Sequence, residues 1–163
     1  MYDISEQNEK LLGIIALVLL KDRILQKPKG LYRFMKTLLL IDGFNHVFRA
    51  YHAMQRLGLE TFDGLPTGAI YGFLNMINRL DKDLEFSAVA AVFDSPGKNF
   101  RHNIFPDYKA NRGPMPDDLV PQIDPLFECI KALKIPLIKQ EGYEADDLIG
   151  TLAKKAASEG YKV

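Results

Sequence analysis

Two short stretches, Thr37-Leu38-Leu39-Leu40-Ile41 and Ser87-Ala88-Val89-Ala90-Ala91-Val92-Phe93, are apolar at nearly every position. A run of this length with no alternation predicts a strand buried on both faces, as in a parallel sheet. Each run is closed by an acid, Asp42 before Gly43 and Asp94 before Ser95. One acid after a strand is equally an Asp-Gly turn. Two such acids, at strand ends that share a rim in a parallel sheet, place Asp42 and Asp94 where open α/β sheets hold ligands.

The segments between these runs have helical spacing. Phe44–Met54 predicts a helix carrying Arg49, and residues 56–66, with Gly and Pro, predict a loop. Thr67 is placed to cap the next helix, whose stripe of Ala69, Ile70, Phe73, Ile77, Leu80 and Leu84 would face the core. Pro114-Met115-Pro116-Asp117-Asp118 reads as the start of a helix reaching Leu133, with Pro125 either kinking it or marking its true first turn. Lys134–Lys139 predicts a weaker third strand. A helix starting at Glu144 ends near Ser158-Glu159-Gly160, where Gly160 suits a C′ cap, and Tyr161–Val163 begins a fourth strand. Strand and helix alternate, so the class is α/β with a parallel sheet.

Residues 1–35 differ from the rest. Leu11–Leu20 is apolar and flanked by Lys10, Lys21 and Arg23, yet shorter than the ~20 residues a membrane span needs. An acidic start (Asp3, Glu6, Glu9) and the lack of a small-residue cleavage site argue against a signal peptide. The expectation is an extension, helical and packed on the domain or non-native, followed by a domain over 36–163. Met35-Lys36, directly before the first strand, reads as the natural start.

Composition adds mainly exclusions. The 163 residues suffice for one domain with a core, and 47% hydrophobic with 26% charged is ordinary for a globular protein. Formal net charge is zero, so any nucleic-acid site must come from local clustering. The single cysteine, Cys129, excludes an internal disulfide and fits a cytoplasmic protein. His46, His52 and His102 are not at metal-ligand spacing. There is no Gly-x-x-x-x-Gly-Lys-Ser/Thr and no Gly-x-Gly-x-x-Gly, which counts against P-loop and dinucleotide enzymes. Phe44 stands where a haloacid-dehalogenase-type phosphotransferase would carry its second acid.

Two local patterns carry chemistry. In Gly142-Tyr143-Glu144-Ala145-Asp146-Asp147, three carboxylates fall within four positions at a helix start. Glu144 and Asp147 would share a helix face. The cluster is read equally as complementing the helix dipole or as holding a hard divalent cation. In Ser95–Pro116, Lys98, Arg101, Lys109 and Arg112 face only Asp107, with Phe100, Phe105 and Tyr108 interleaved. Basic side chains meet phosphates and rings offer bases a stacking face, although a solvated loop would look similar. Taken with Asp42 and Asp94, the acids form a rim that is costly without metal. The residues therefore point to metal-dependent phosphodiester hydrolysis.

At this point the chain resembles the flap endonuclease, or 5′–3′ exonuclease, family, nearest to the nuclease domains joined to bacterial polymerases. The motifs run in order: Leu40-Ile41-Asp42-Gly43, Phe48-Arg49-Ala50-Tyr51-His52-Ala53, Pro66-Thr67-Gly68-Ala69-Ile70-Tyr71-Gly72 and Val92-Phe93-Asp94. Phe100-Arg101, Tyr108-Lys109-Ala110-Asn111-Arg112, Pro114-Met115-Pro116-Asp117-Asp118 and Glu144-Ala145-Asp146-Asp147-Leu148-Ile149-Gly150 follow.

The resemblance implies a parallel-sheet PIN-like (resolvase-like) α/β fold and one or two Mg²⁺ (or Mn²⁺) ions. It makes Asp42, Asp94, Glu144, Asp146 and Asp147 metal-site acids, with Asp94 catalytic. Arg49, Arg101, Lys109 and Arg112 would contact phosphates, Lys109 and Arg112 doing so catalytically from a helical arch. Tyr108, supported by Phe100, would stack on a base near the 5′ end. The implied substrate is DNA with a 5′ flap or 5′ end, or an RNA primer, met in replication and repair, with no membrane partner. In the family, the strand at Tyr161 leads into further metal acids, a duplex-gripping element and the last strands. Hence the alternative expectation: a gene fragment, a remnant, or a split half that binds metal and nucleic acid but needs a C-terminal half-domain or polymerase partner. A minimal PIN-type ribonuclease is a more distant option, disfavoured by the long segment bearing Tyr108, Lys109 and Arg112.

Overall fold

A computed structural model describes residues 36–163. The expected helix at Leu11–Leu20 and the proposed start at Met35 lie outside these residues. Strand β1 (Leu38–Asp42) leads into helix α1 (Gly43–Met54), a turn of 3₁₀ helix (Gln55–Leu57) and helix α2 (Gly68–Asp83). Strand β2 (Ala88–Val92), a short helix α3 (Phe100–Ile104), helix α4 (Val120–Ala132), strand β3 (Leu137–Ile138) and helix α5 (Ala145–Ser158) follow.

The strands are parallel in the order β1-β2-β3, with Asp42 level with Val92 and Val92 level with Ile138. A further parallel bridge joins Thr37 to Lys162, so the start of the expected fourth strand lies on the other side of β1. All five residues of β2 are buried, as a central strand covered on both faces requires. On one face Val89, Ala91 and Phe93 pack with Ile41, Val47, Phe73, Leu126 and Ile130 from β1, α1, α2 and α4. On the other, Leu38, Ala88, Ala90 and Val92 pack with Leu148, Leu152 and Ala156 of α5. Burying each large side chain stabilises the fold by about 1.5–3 kcal/mol.

Several expectations are corrected in detail. Thr67 stands at the N-cap of α2, but its side chain makes no capping bond. Instead buried Gln122 of α4 accepts from the Ala69 N–H at 2.8 Å and donates to the Asp118 carbonyl at 2.8 Å. Leu84 lies beyond the helix and is exposed. The loop after α1 contains a 3₁₀ turn and an antiparallel bridge between Glu60 and Pro66. Pro125 does not mark the first turn of α4 but sits inside it, so the Pro121 carbonyl loses its usual i+4 donor. The third strand shrinks to two residues. The end of α5 follows expectation. Gly160 (φ 84°) and Tyr161 donate to the Ala157 and Ala156 carbonyls in a Schellman motif.

Candidate nucleic-acid and metal site

The carboxyl ends of β1 and β2 and the N-terminus of α5 form one rim. Asp42 ends β1 and turns back to cap α1, its Oδ1 accepting from the Asn45 N–H at 3.2 Å. Asp94, two residues past β2, accepts from the Ala145 N–H at 2.6 Å. Each acid therefore holds the start of a different helix, because the exposed N–H groups of a helix N-terminus attract carboxylates.

Glu144 and Asp147 do share a face, joined in a capping box in which the Glu144 N–H donates to Asp147 Oδ2 at 3.1 Å. Their countercharges come from the chain itself. Arg101 grips Asp147 with two bonds, Nη1 to Oδ2 at 2.7 Å and Nη2 to Oδ1 at 2.6 Å. Lys109 Nζ lies 2.7 Å from Glu144 Oε1, and Asn99 Nδ2 donates to the same oxygen at 2.6 Å. The Tyr108 hydroxyl donates to Glu144 Oε2 at 3.1 Å. Asp146 is exposed beside this cluster.

The electrostatics follow from these contacts. Burial alone would raise the Glu144 pKa, but bonds from Lys109, Tyr108 and Asn99 outweigh it and hold it below its ordinary value. The Arg101 bonds hold Asp147 low against the opposing effect of burial. Asp147 in turn raises the Arg101 guanidinium. Burial, then the nearby Arg49 cation, lowers His46, with Asp42 opposing.

The segment predicted to be basic and aromatic forms a strap, and Lys109 and Arg112, expected in a helical arch, lie beyond its one short helix. Its helical part is the five residues of α3, and turns follow through Arg112. The strap folds down onto α5 and encloses a cleft of roughly 250 Å³ whose lining includes Asp94, Lys98, His102, Lys109, Arg112 and Glu144. Phe100 is 44% exposed and stacks on Arg101, whose Cζ lies 4.6 Å from its ring centroid. The Tyr108 ring meets His102 edge-on at 5.6 Å. Arg49 is exposed on α1 and does not line the cleft. Among the described residues, no group of three or more acids, histidines or cysteines is gathered as a metal-binding set.

Three contributors were missed by sequence reasoning. Asn99 caps α3 and bonds Glu144, while His102 closes a reciprocal capping box with it. The Asn-x-x-His spacing was legible, but a histidine in that role falls outside the usual Glu/Gln pattern. Tyr51, whose hydroxyl donates to Asp118 at 2.7 Å, anchors the strap's exit to α1. Its partner lies 67 residues away, so no local signal marks it.

A parallel sheet with helices on both faces and an acidic rim under a basic strap is the architecture of a resolvase-like nuclease domain. Residues 37–163 match the family of 5′-3′ exonuclease N-terminal resolvase-like domains, and the chain belongs to that family of nucleases. Its relatives include DNA polymerase I of Pseudomonas aeruginosa, 49% identical over 121 residues, or 74% of this chain and 13% of that protein. DNA polymerase I of Mycobacterium tuberculosis is 44% identical over 131 residues, covering 80% of this chain and 14% of that protein. The 5′-3′ exonuclease of Aquifex aeolicus is 44% identical over 129 residues, covering 79% of this chain and 44% of that protein. The chain thus spans less than half the length of each of these relatives. No described helix is long and apolar enough to cross a membrane.

Proposed function

We infer that this domain is the catalytic part of a metal-dependent 5′–3′ exonuclease and 5′-flap endonuclease acting on DNA in replication and repair. The observation that carries the reading is the meeting of Asp94 and Glu144 with Lys109 and Arg112 around one cleft. Metal-assisted phosphodiester hydrolysis uses carboxylates to hold the ion and cationic side chains to bind the phosphate, and here both kinds line one cleft.

The donor set fits Mg²⁺ or Mn²⁺ in kind, since every candidate ligand is a hard carboxylate oxygen. Asp42, Asp94, Glu144, Asp146 and Asp147 would hold one or two ions. When bound, such ions activate water and offset the charge developing on a phosphoryl group. The chain's own residues do the rest. Lys109 and Arg112 bind and orient the phosphate at the cleft, with Arg101 and Arg49 extending the contact along the backbone. Tyr108, with Phe100 in support, would offer a ring to a base near the 5′ end. Asp94 also fixes the start of α5, and with it the position of Glu144 and Asp147. The partner is DNA with a 5′ end or flap, or an RNA primer on it.

A second reading has one observation in its favour: Glu144 and Asp147 already carry cationic partners. These residues would then bind metal and nucleic acid but require a further segment or a polymerase chain for cleavage. Cleavage of a 5′-labelled flap duplex by the folded chain, with Mg²⁺ and with chelator, separates the two. Metal-dependent cutting lost in Asp94→Asn supports the first reading. No cutting supports the second, and cutting that survives both chelator and Asp94→Asn removes this site.

A further inference from the structure

Resting on the metal-dependent reading above, we propose that residues 99–112 form a self-held strap. In the free protein Arg101 and Lys109 are internal counterions of Asp147 and Glu144, and a divalent cation at the rim exchanges with them and releases them to bind phosphate.

The two sets of roles cannot be filled at once. Each oxygen of the Glu144 and Asp147 side chains has a donor from the strap within 3.1 Å. A Mg²⁺ ion needs oxygens at about 2.0–2.1 Å. It would strongly repel an ammonium 2.7 Å from the same carboxylate. Conversely, a guanidinium spent on a bidentate carboxylate grip cannot make the same grip on phosphate. Metal and strap cations therefore compete for the acids, and the acids and substrate phosphates compete for the cations.

The strap is also built to let go. None of the five residues of α3 is buried, and Ile104 and Phe105 are exposed. Polar and ionic contacts, not apolar burial, hold the segment down. Lys109 sits at φ 59°, a left-handed conformation disfavoured for a residue with a Cβ, which persists only where contacts enforce it. Freeing Lys109 relieves that strain. Asn99, at the strap's root, also bonds Glu144, but as a neutral amide it carries no charge for a cation to replace.

Amide hydrogen exchange on the full chain tests this, read on peptides covering 100–113 with α4 peptides as internal reference. Mg²⁺ binding is measured by calorimetry in the same buffer at constant ionic strength. Saturating Mg²⁺ should speed exchange in 100–113 by about fivefold or more while leaving α4 unchanged. Glu144→Gln and Lys109→Met should each exchange fast without metal and respond little to it. If Glu144→Gln fails to fold, as α4 exchange would reveal, Lys109→Met carries the test from the strap side. Mg²⁺ binding with unchanged or slower strap exchange overturns the proposal and leaves the nuclease reading standing. Absence of any Mg²⁺ binding overturns both. Lys109→Met with wild-type strap exchange shows that the ion pair is not the latch, and also overturns it.

Discussion

Gly43→Ala tests whether the rim's geometry depends on close packing between α1 and β2. A Cβ built on Gly43 would lie 2.5 Å from Phe93 Cδ1 and closer still to Cε1 and Cζ. Ordinary carbon contacts begin near 3.5 Å, so the ring or the helix must move by about an ångström. Phe93 has nowhere to go. It is fully buried, with Phe44 edge-on at 5.3 Å and Phe127 edge-on at 4.9 Å. Overpacking of this kind costs about 1–3 kcal/mol, and a helix-end glycine returns only a few tenths on becoming alanine. The expected net loss is about 2 kcal/mol, or roughly 4–8 °C in Tm for a domain of this size. Thermal and urea unfolding followed by circular dichroism would read it. Phe93→Leu in the same background should recover part of the loss by opening space. Because Asp94 follows Phe93, the substitution should also weaken Mg²⁺ binding. A Gly43→Ala protein as stable as wild type would refute the claim that this contact fixes the rim.

Other outcomes follow from the same contacts. Lys109→Ala should lower kcat for flap cleavage far more than it raises KM; the reverse split would show a binding role only. Gln122→Ala should destabilise by about 1–3 kcal/mol in urea unfolding, because it strips the buried Ala69 N–H of its acceptor; an unchanged midpoint would show that another group satisfies it. Glu144 and Asp147 titrate below their ordinary values, so their stabilising effect is complete above the usual carboxylate range and is lost as pH falls through their lower folded values. Tm should therefore hold steady from neutral pH to about 5 and drop below about 4. The drop should be shallower in a Glu144→Gln, Asp147→Asn double variant, and an equally steep drop there would place the acid sensitivity elsewhere.

The local grammar of this chain was readable in its sequence. Apolar runs without alternation gave β1 and β2, and the acids that close them fell at strand ends as the pattern required. Gly160 ended α5 through its positive φ, and the ordered motifs marked the family. These features arise from interactions within a few residues or from the periodicity of one element, so they are written locally. The partners of the acids were not. Asp94 meets Ala145 across 51 positions, Arg101 meets Asp147 across 46 and Tyr108 meets Glu144 across 36. From sequence, the acid cluster alone read equally as a dipole complement or a metal site, and the basic segment alone equally as a solvated loop or a phosphate contact; Asp42 and Asp94 at the strand ends turned both toward metal and phosphate. Only the fold, by bringing the strap down on the start of α5, made each the other's countercharge. A local pattern states which charges a segment carries, but the neutralising partner is set by which segments the sheet and its crossovers bring within a few ångströms.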